Sequence, residues 1–259
     1  MRDAVAAECR KIWSIRSTYL VLSVAVAFVL VGILISLQVA RLWDGASAEQ
    51  RSTISVTPLP DLVAWAAALC LAVLGVLMIT SEYRTGMIRT SLLAVPGRWT
   101  LLGAKAIVAG LVALAVGEVV SLSTFVATRL VIGDRPIEGF EGTFADELPG
   151  LIVTGSVVAV YALLGLGLGA LLRSTAGAIV LVVGIWHIIP IFVAMLPEPW
   201  NKHLGSFMLG GLPARVVGRS NESSVFGDLL SPPAAVAMMA AYAVVPLLGA
   251  AFAIRRRDA

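Results

Sequence analysis

Two ionisable side chains stand inside long apolar runs of this chain: Glu118, within Ala106–Thr128, and His187, within Ala178–Leu196. Such groups are expensive to place in a hydrocarbon layer and commonly mark ion or substrate paths. Glu118 falls thirteen residues after Lys105, about 20 Å along a helix at 1.5 Å per residue. His187 sits near the middle of a run with the same direction, so the two can share a depth. The chemistry open to them is a polar pair lining a substrate path or gate. The plainer alternative is a neutral glutamic acid bonded to a neighbouring helix and a histidine satisfied locally beside Pro190.

Other chemistry is absent from the sequence. The stretch Gly97–Lys105 has one residue too many between its glycines for a phosphate-binding loop and no Ser or Thr after its lysine. His187 and His203 do not combine with Cys9 and Cys70 into a metal site, and no H-E-x-x-H or G-x-S-x-G motif occurs. Two cysteines make no disulfide framework. The chain is therefore expected to be no enzyme by itself and to bind no cofactor or metal.

The elements that must carry Glu118 and His187 follow from composition. Hydrophobic residues are 59% and charged residues 14% of the 259 residues, and mean hydropathy is +0.94. Soluble domains average about 45–50% and about 25%, so a bilayer is the solvent indicated. A spanning helix needs about 20 apolar residues. Six runs qualify: 19–39, 62–80, 106–128, 149–172, 178–196 and 234–254. The expected fold is an all-α polytopic membrane protein, one transmembrane domain over 1–259. The first run is too long for a secretory signal and reads as a retained helix. Gly165 and Gly169, four apart in the fourth run, suit close helix packing.

Charge gives direction. The N-terminal tail, the loop after the second run, the short turn at Arg173 and the C-terminus hold twelve of the 19 bases; the longer loops on the other side hold seven. Eleven of the 16 acids lie on that second side and four on the first. The bias of Lys and Arg towards the cytoplasm places both termini inside. The net charge of +3 and pI near 9.1 thus express topology and lipid-headgroup contact rather than nucleic-acid binding.

Three segments do more than connect. In residues 1–18, Val5, Cys9, Ile12 and Trp13 fall on one helical face, with Asp3, Arg10, Lys11 and Ser14 elsewhere. An interfacial helix is expected, anchored by Arg10, Lys11 and Trp13; a solvated basic tail is the alternative. In residues 81–98, Met87, Ile88, Ser91, Leu92 and Val95 form an apolar stripe with Arg84, Arg89 and Thr90 facing away, and Pro96-Gly97 ends the helix. A soluble partner or a membrane-hugging connector both fit. Residues 197–233 are too apolar for a solvated tether, so short helices packed against the bundle are expected on the outer side.

In order, spacing and topology the chain resembles the integral-membrane permeases of type-2 ABC exporters. The tail with Glu8, Lys11 and Arg16 is similar to their amphipathic elbow helix. The segment Glu82-Tyr83-Arg84-Thr85-Gly86-Met87, then Leu92-Leu93, Pro96, Arg98 and Lys105, resembles their E-x-x-x-G and L-L-x-x-P-x-x-R stretch, with Arg98 following proline one residue early. Leu171-Leu172-Arg173-Ser174 is similar to their turn before the fifth span. The resemblance implies a coupling helix between spans two and three, extracellular re-entrant helices before span six, and two permease copies, like or unlike, on two cytosolic ATPase subunits that hold ATP and Mg. It implies partner contacts at Glu82, Arg84, Thr85, Gly86, Met87, Ile88, Arg89 and Leu92, with Glu82 and Arg84 as ion-pair contacts, and a location in the bacterial cytoplasmic membrane. A secondary transporter would show inverted repeats, yet spans one to three and four to six have no clear internal similarity. A membrane scaffold or sensor subunit is the third class.

Overall fold

The computed structural model describes residues 1–14, 16–51, 54, 58–94, 97–137, 143–219 and 229–256. Every regular element among them is helical: α1 (Arg2–Ser14), α2 (Arg16–Gly45), α3 (Ala48–Arg51), α4 (Leu59–Thr85), α5 (Met87–Ala94), α6 (Arg98–Ile132), α7 (Phe144–Leu172) and α8 (Thr175–Val183), then a π-helical turn (Gly184–Ile188), α9 (Ile189–Ala194), α10 (Trp200–Gly205), α11 (Leu212–Val216) and α12 (Pro232–Arg256). Six stretches are long and apolar enough to cross a membrane: Thr18–Gly45, Leu59–Thr85, Trp99–Ile132, Phe144–Leu172, Thr175–Ala194 and Pro232–Ala253. This is the architecture of a multi-pass membrane protein.

Most of the helices outrun the apolar runs expected for them, because polar residues at their ends remain helical. α6 is the extreme case. Its 35 residues span about 52 Å at 1.5 Å per residue, against a hydrocarbon core of about 30 Å. Lys105 therefore rides in an end of α6 that extends past the apolar centre. α4 stops at Gly86, whose φ of 71° is left-handed and whose N–H donates to Tyr83 O. Glycine takes that conformation without a Cβ penalty, so α5 restarts at once.

α7 is the hub, packing on α4, α6, α8 and α12. In α4 and α7, 61% of the apolar window is buried, against 22% in the first and fifth spans and 28% in the sixth. The second and fourth spans are thus the core, and the others keep broad apolar faces outward. Paired notches hold α4 against α7. A Cβ on Gly75 would lie 2.1 Å from Ala162 O, and one on Gly165 would lie 2.2 Å from Ala72 O. Neither carbonyl can retreat without moving its helix. Towards the far end, Leu209 and Leu212 of the segment before α12 enter the same core, and Tyr242 of α12 donates to Phe207 O at 3.1 Å. Leu209, Leu212 and Val216 of that segment thus pack on the bundle, whereas Trp200, Leu204 and Phe207 are exposed; residues 220–228 lie outside the described ones.

Gly165→Ala should force α4 and α7 apart and lower stability by about 1–3 kcal/mol, the usual range for overpacking. Chemical unfolding in detergent micelles reads this directly. Gly184→Ala, whose Cβ would meet nothing within 4 Å, should leave the unfolding midpoint nearly unchanged.

Candidate functional site: a buried charge cluster behind the connector helix

Three helices meet at Lys105. Its Nζ lies 2.8 Å from Glu8 Oε2 of α1 and 2.8 Å from Glu82 Oε1 of α4, and also donates to Met78 O at 3.5 Å. Lys105 is fully buried, and Glu82 and Glu8 are nearly so. A lone ammonium at such a place would carry a desolvation penalty of several kcal/mol, and two carboxylates offset it. They in turn overcompensate by one charge, and Lys11 supplies the remainder. Its Nζ donates to Glu82 Oε1 and lies 3.9 Å from Glu8 Oε1. Two acids and two bases leave the cluster formally neutral. Partial burial and the Lys105 charge lower the Lys11 pKa below the ordinary lysine value, with Glu8 opposing. Both ammonium groups converge on one oxygen of Glu82, so its Oε2 has no hydrogen-bond partner among the described residues.

The connector helix α5 sits directly on this cluster's apolar surround. Ile88 is buried with Ile12 of α1, Met78 and Ile79 of α4, Leu101 and Leu102 of α6, and Ala250 of α12. Its neighbours point the other way: Arg84, Thr85, Gly86 and Met87 are exposed, and Leu93 is 84% exposed. The expected stripe of Met87 with Ile88 is therefore divided, with Ile88 inward and Met87 outward. Arg89 and Leu92 lie on α5; their side chains, like Val95 and Pro96, lie outside the described residues. Glu82, an ion-pair contact in what the resemblance implies, is nearly fully buried. It is turned into the protein because Lys105, 23 residues along the chain, needs its charge.

In α1 Ala4, Glu8 and Ile12 are buried against the bundle, where Glu8 reaches Lys105. Of the apolar face expected at the interface, Ile12 is buried and Val5 packs beside it, while Cys9 and Trp13, like Arg10, are exposed. Trp13 packs beside Tyr19 at 6.4 Å, and the Tyr19 hydroxyl donates to Trp13 O at 2.9 Å. At the short turn before α8, the Arg173 guanidinium lies 5.1 Å from the centre of the Tyr83 ring. Thr175 donates to Thr80 Oγ1 at 2.9 Å. The turn is thereby fastened to the same end of α4.

No protein-family model matches the chain, and no curated protein matches it.

Glu118 and His187 are not brought together. Glu118 is half-buried against α7, where Ser156 donates to its Oε1 at 3.5 Å. Gly155 makes the room, since a Cβ there would lie 2.6 Å from the Glu118 carboxyl carbon. His187 belongs to the π-helical turn, in which Ile189 N–H donates to Gly184 O, five residues back. Pro190 follows at once and has no N–H to give to Trp186 O, so the widened turn accommodates a missing bond. The ring packs on Trp65 at 5.1 Å and Trp186 at 5.2 Å, and its Nδ1 is buried without a partner among the described residues. Shared depth does not make contact when the two side chains face different helices.

Glu8 and Lys105 are the site residues that spacing alone did not single out. The one available signal was Glu8 standing at i+4 from Ala4 and i−4 from Ile12, an acid on a face of small and apolar residues. Lys105→Met should cost about 3–5 kcal/mol in chemical unfolding, because it strands two buried carboxylates. Adding Glu82→Gln restores neutrality and should recover a large part of the loss. A wild-type midpoint for Lys105→Met would mean that the cluster is not buried in the folded chain.

Proposed function

We propose that the chain is the membrane-spanning permease subunit of an ATP-driven ABC exporter, working as a dimer above separate cytosolic ATPase subunits. The observation that carries this reading is the form of α5. It is a short helix between α4 and α6, with Ile88 locked inside and Met87 and Leu93 presented outward beside Arg84 at the end of α4. A push on that outer surface reaches α1, α4, α6 and α12 through one shared apolar cluster and one buried charge cluster. Force entering at a small docking helix is what a permease without its own ATP site requires. ATP and Mg would be held by the partner. In this reading α5 is the coupling helix, and Arg84, Thr85, Gly86, Met87, Arg89 and Leu92 meet the ATPase. Ile88 and Glu82 transmit from behind. α1 is an elbow helix at the cytoplasmic interface, with Arg10 and Trp13 towards headgroups and Lys11 shared with the buried cluster. The twelve bases that the sequence puts in the segments joined to this end support a reading with both termini on the inner side of a bacterial cytoplasmic membrane. The segment carrying α10 and α11 would then be the extracellular hairpin, and Glu118 and His187 would line separate parts of the substrate path.

Charge reversal supplies the test. Tagged chain purified from its own membrane should bring down an ATP-hydrolysing subunit, and Arg84→Glu with Arg89→Glu should cut that recovery at least tenfold without disturbing the spectrum of the folded permease. Unchanged recovery and unchanged stimulated ATP hydrolysis would overturn the assignment of α5.

A further inference from the structure

At the end of the bundle opposite the charge cluster, a cavity of about 220 Å³ opens between the first turns of α4 and α7 and the segment around α11. Asp61 stands in its lining with Trp65, Tyr161, Leu209 and Val217. Among the described residues the Asp61 carboxylate receives one hydrogen bond, from the neutral Thr154 hydroxyl at 2.6 Å. The guanidinium that also lines the cavity, Arg219, is bonded to Glu147 instead. Arg219 also acts on Asp61 through space, but its hydrogen bond goes to Glu147, so these two acids share one cation and the group keeps one net negative charge. Beside it, Tyr161 stacks on Trp186 at 4.2 Å between centroids, and Trp65 meets the edge of Trp186 at 5.2 Å, which fixes both lining rings. The Tyr161 hydroxyl is buried and unpartnered among the described residues, so this residue offers the cavity its ring and not its oxygen.

We propose that this cavity binds an organic ammonium cation, with Asp61 as counter-ion and the rings of Trp65 and Tyr161 as aromatic walls. Aromatic faces attract ammonium groups, most strongly when water is excluded. The Asp61 carboxylate, exposed at the mouth, adds a charge that a neutral ligand could not use. Size narrows the class. At about 220 Å³ the space is smaller than the about 300–1,000 Å³ of typical small-molecule sites. It takes a methylated or primary ammonium head with a few carbons, not a whole drug-sized molecule. The rest of an amphiphile would extend past the mouth. A lipid headgroup and a free organic cation share this chemistry. The site needs no ATPase, so its failure and that of the coupling assignment are separate.

The experiment is calorimetric titration of the full chain, in maltoside micelles free of amine lipids, with n-butyltrimethylammonium. One saturable site is expected. Asp61→Asn should weaken it at least tenfold, and butanol and butanesulfonate should not compete. Ala214→Phe fills the cavity from α11 while leaving Asp61 in place, and should give the same loss by an independent route. Adding dioleoylphosphatidylcholine separates the sources. A raised apparent Kd in the unsubstituted chain identifies the lipid headgroup as occupant, and an unchanged one identifies a free cation. No saturable binding, equal binding by Asp61→Asn, retained binding by folded Ala214→Phe, or competition by butanesulfonate would each overturn the proposal.

Discussion

The neutralisation of Lys105 is the constraint on which the α1 and α5 end of this molecule depends. A fully buried ammonium must find anions, and the two it finds come from residues 97 positions earlier and 23 positions earlier in the chain. One of them fixes the rotation of α1 and the other fixes the last turns of α4. Once these are set, Ile12 and Ile88 fall into the same apolar pocket, and α5 has a definite seat. A hydrophobic contact alone would tolerate rotation or sliding of α1. A charge that must meet another at 2.8 Å does not. Buried ion pairs contribute little net stability compared with well-packed apolar groups, so the value of this one lies in the register it imposes.

The two ends of the bundle are built on different principles. The end that holds α1 and α5 satisfies its charges within the chain and offers outward a small mixed surface of Arg84, Met87 and Leu93. The opposite end ties its loops with surface pairs, such as the two bonds from Arg135 to Asp44 at 2.9 and 2.8 Å, and leaves Asp61 facing a cavity. The first arrangement suits transmission of force, the second capture of a ligand. Between them runs α7, which packs on four of its neighbours and gives the two ends a common frame.

The six spans were legible because apolar runs of this length have few alternatives in water or lipid. Their ends were less so: polar residues such as Arg41 and Asp44 continue a helix as readily as they end one, and α2 runs through both. The connector helix was visible in Pro96-Gly97 and the periodic apolar positions, but not which of Met87 and Ile88 turns inward. That depends on where α1 and α6 stand. Likewise an acid such as Glu82 looks like a surface group until its distant partner is known, since burial of charge is decided by tertiary pairing. His187 was found by its rarity in an apolar run. Its separation from Glu118 was hidden because the packing of the spans turns Glu118 to Ser156 of α7 and His187 to Trp65 of α4.

The notches between α4 and α7 carry a mechanical consequence. At the notches backbone atoms pack on backbone, with no side chain in between to swing, repack or act as a roller. Such a contact has one fitting position, and sliding by a residue brings a Cβ against a carbonyl. The pair therefore moves as a single beam. Whatever changes of shape this protein undergoes must be divided between that beam and the helices hung on it through bulkier, more forgiving side chains.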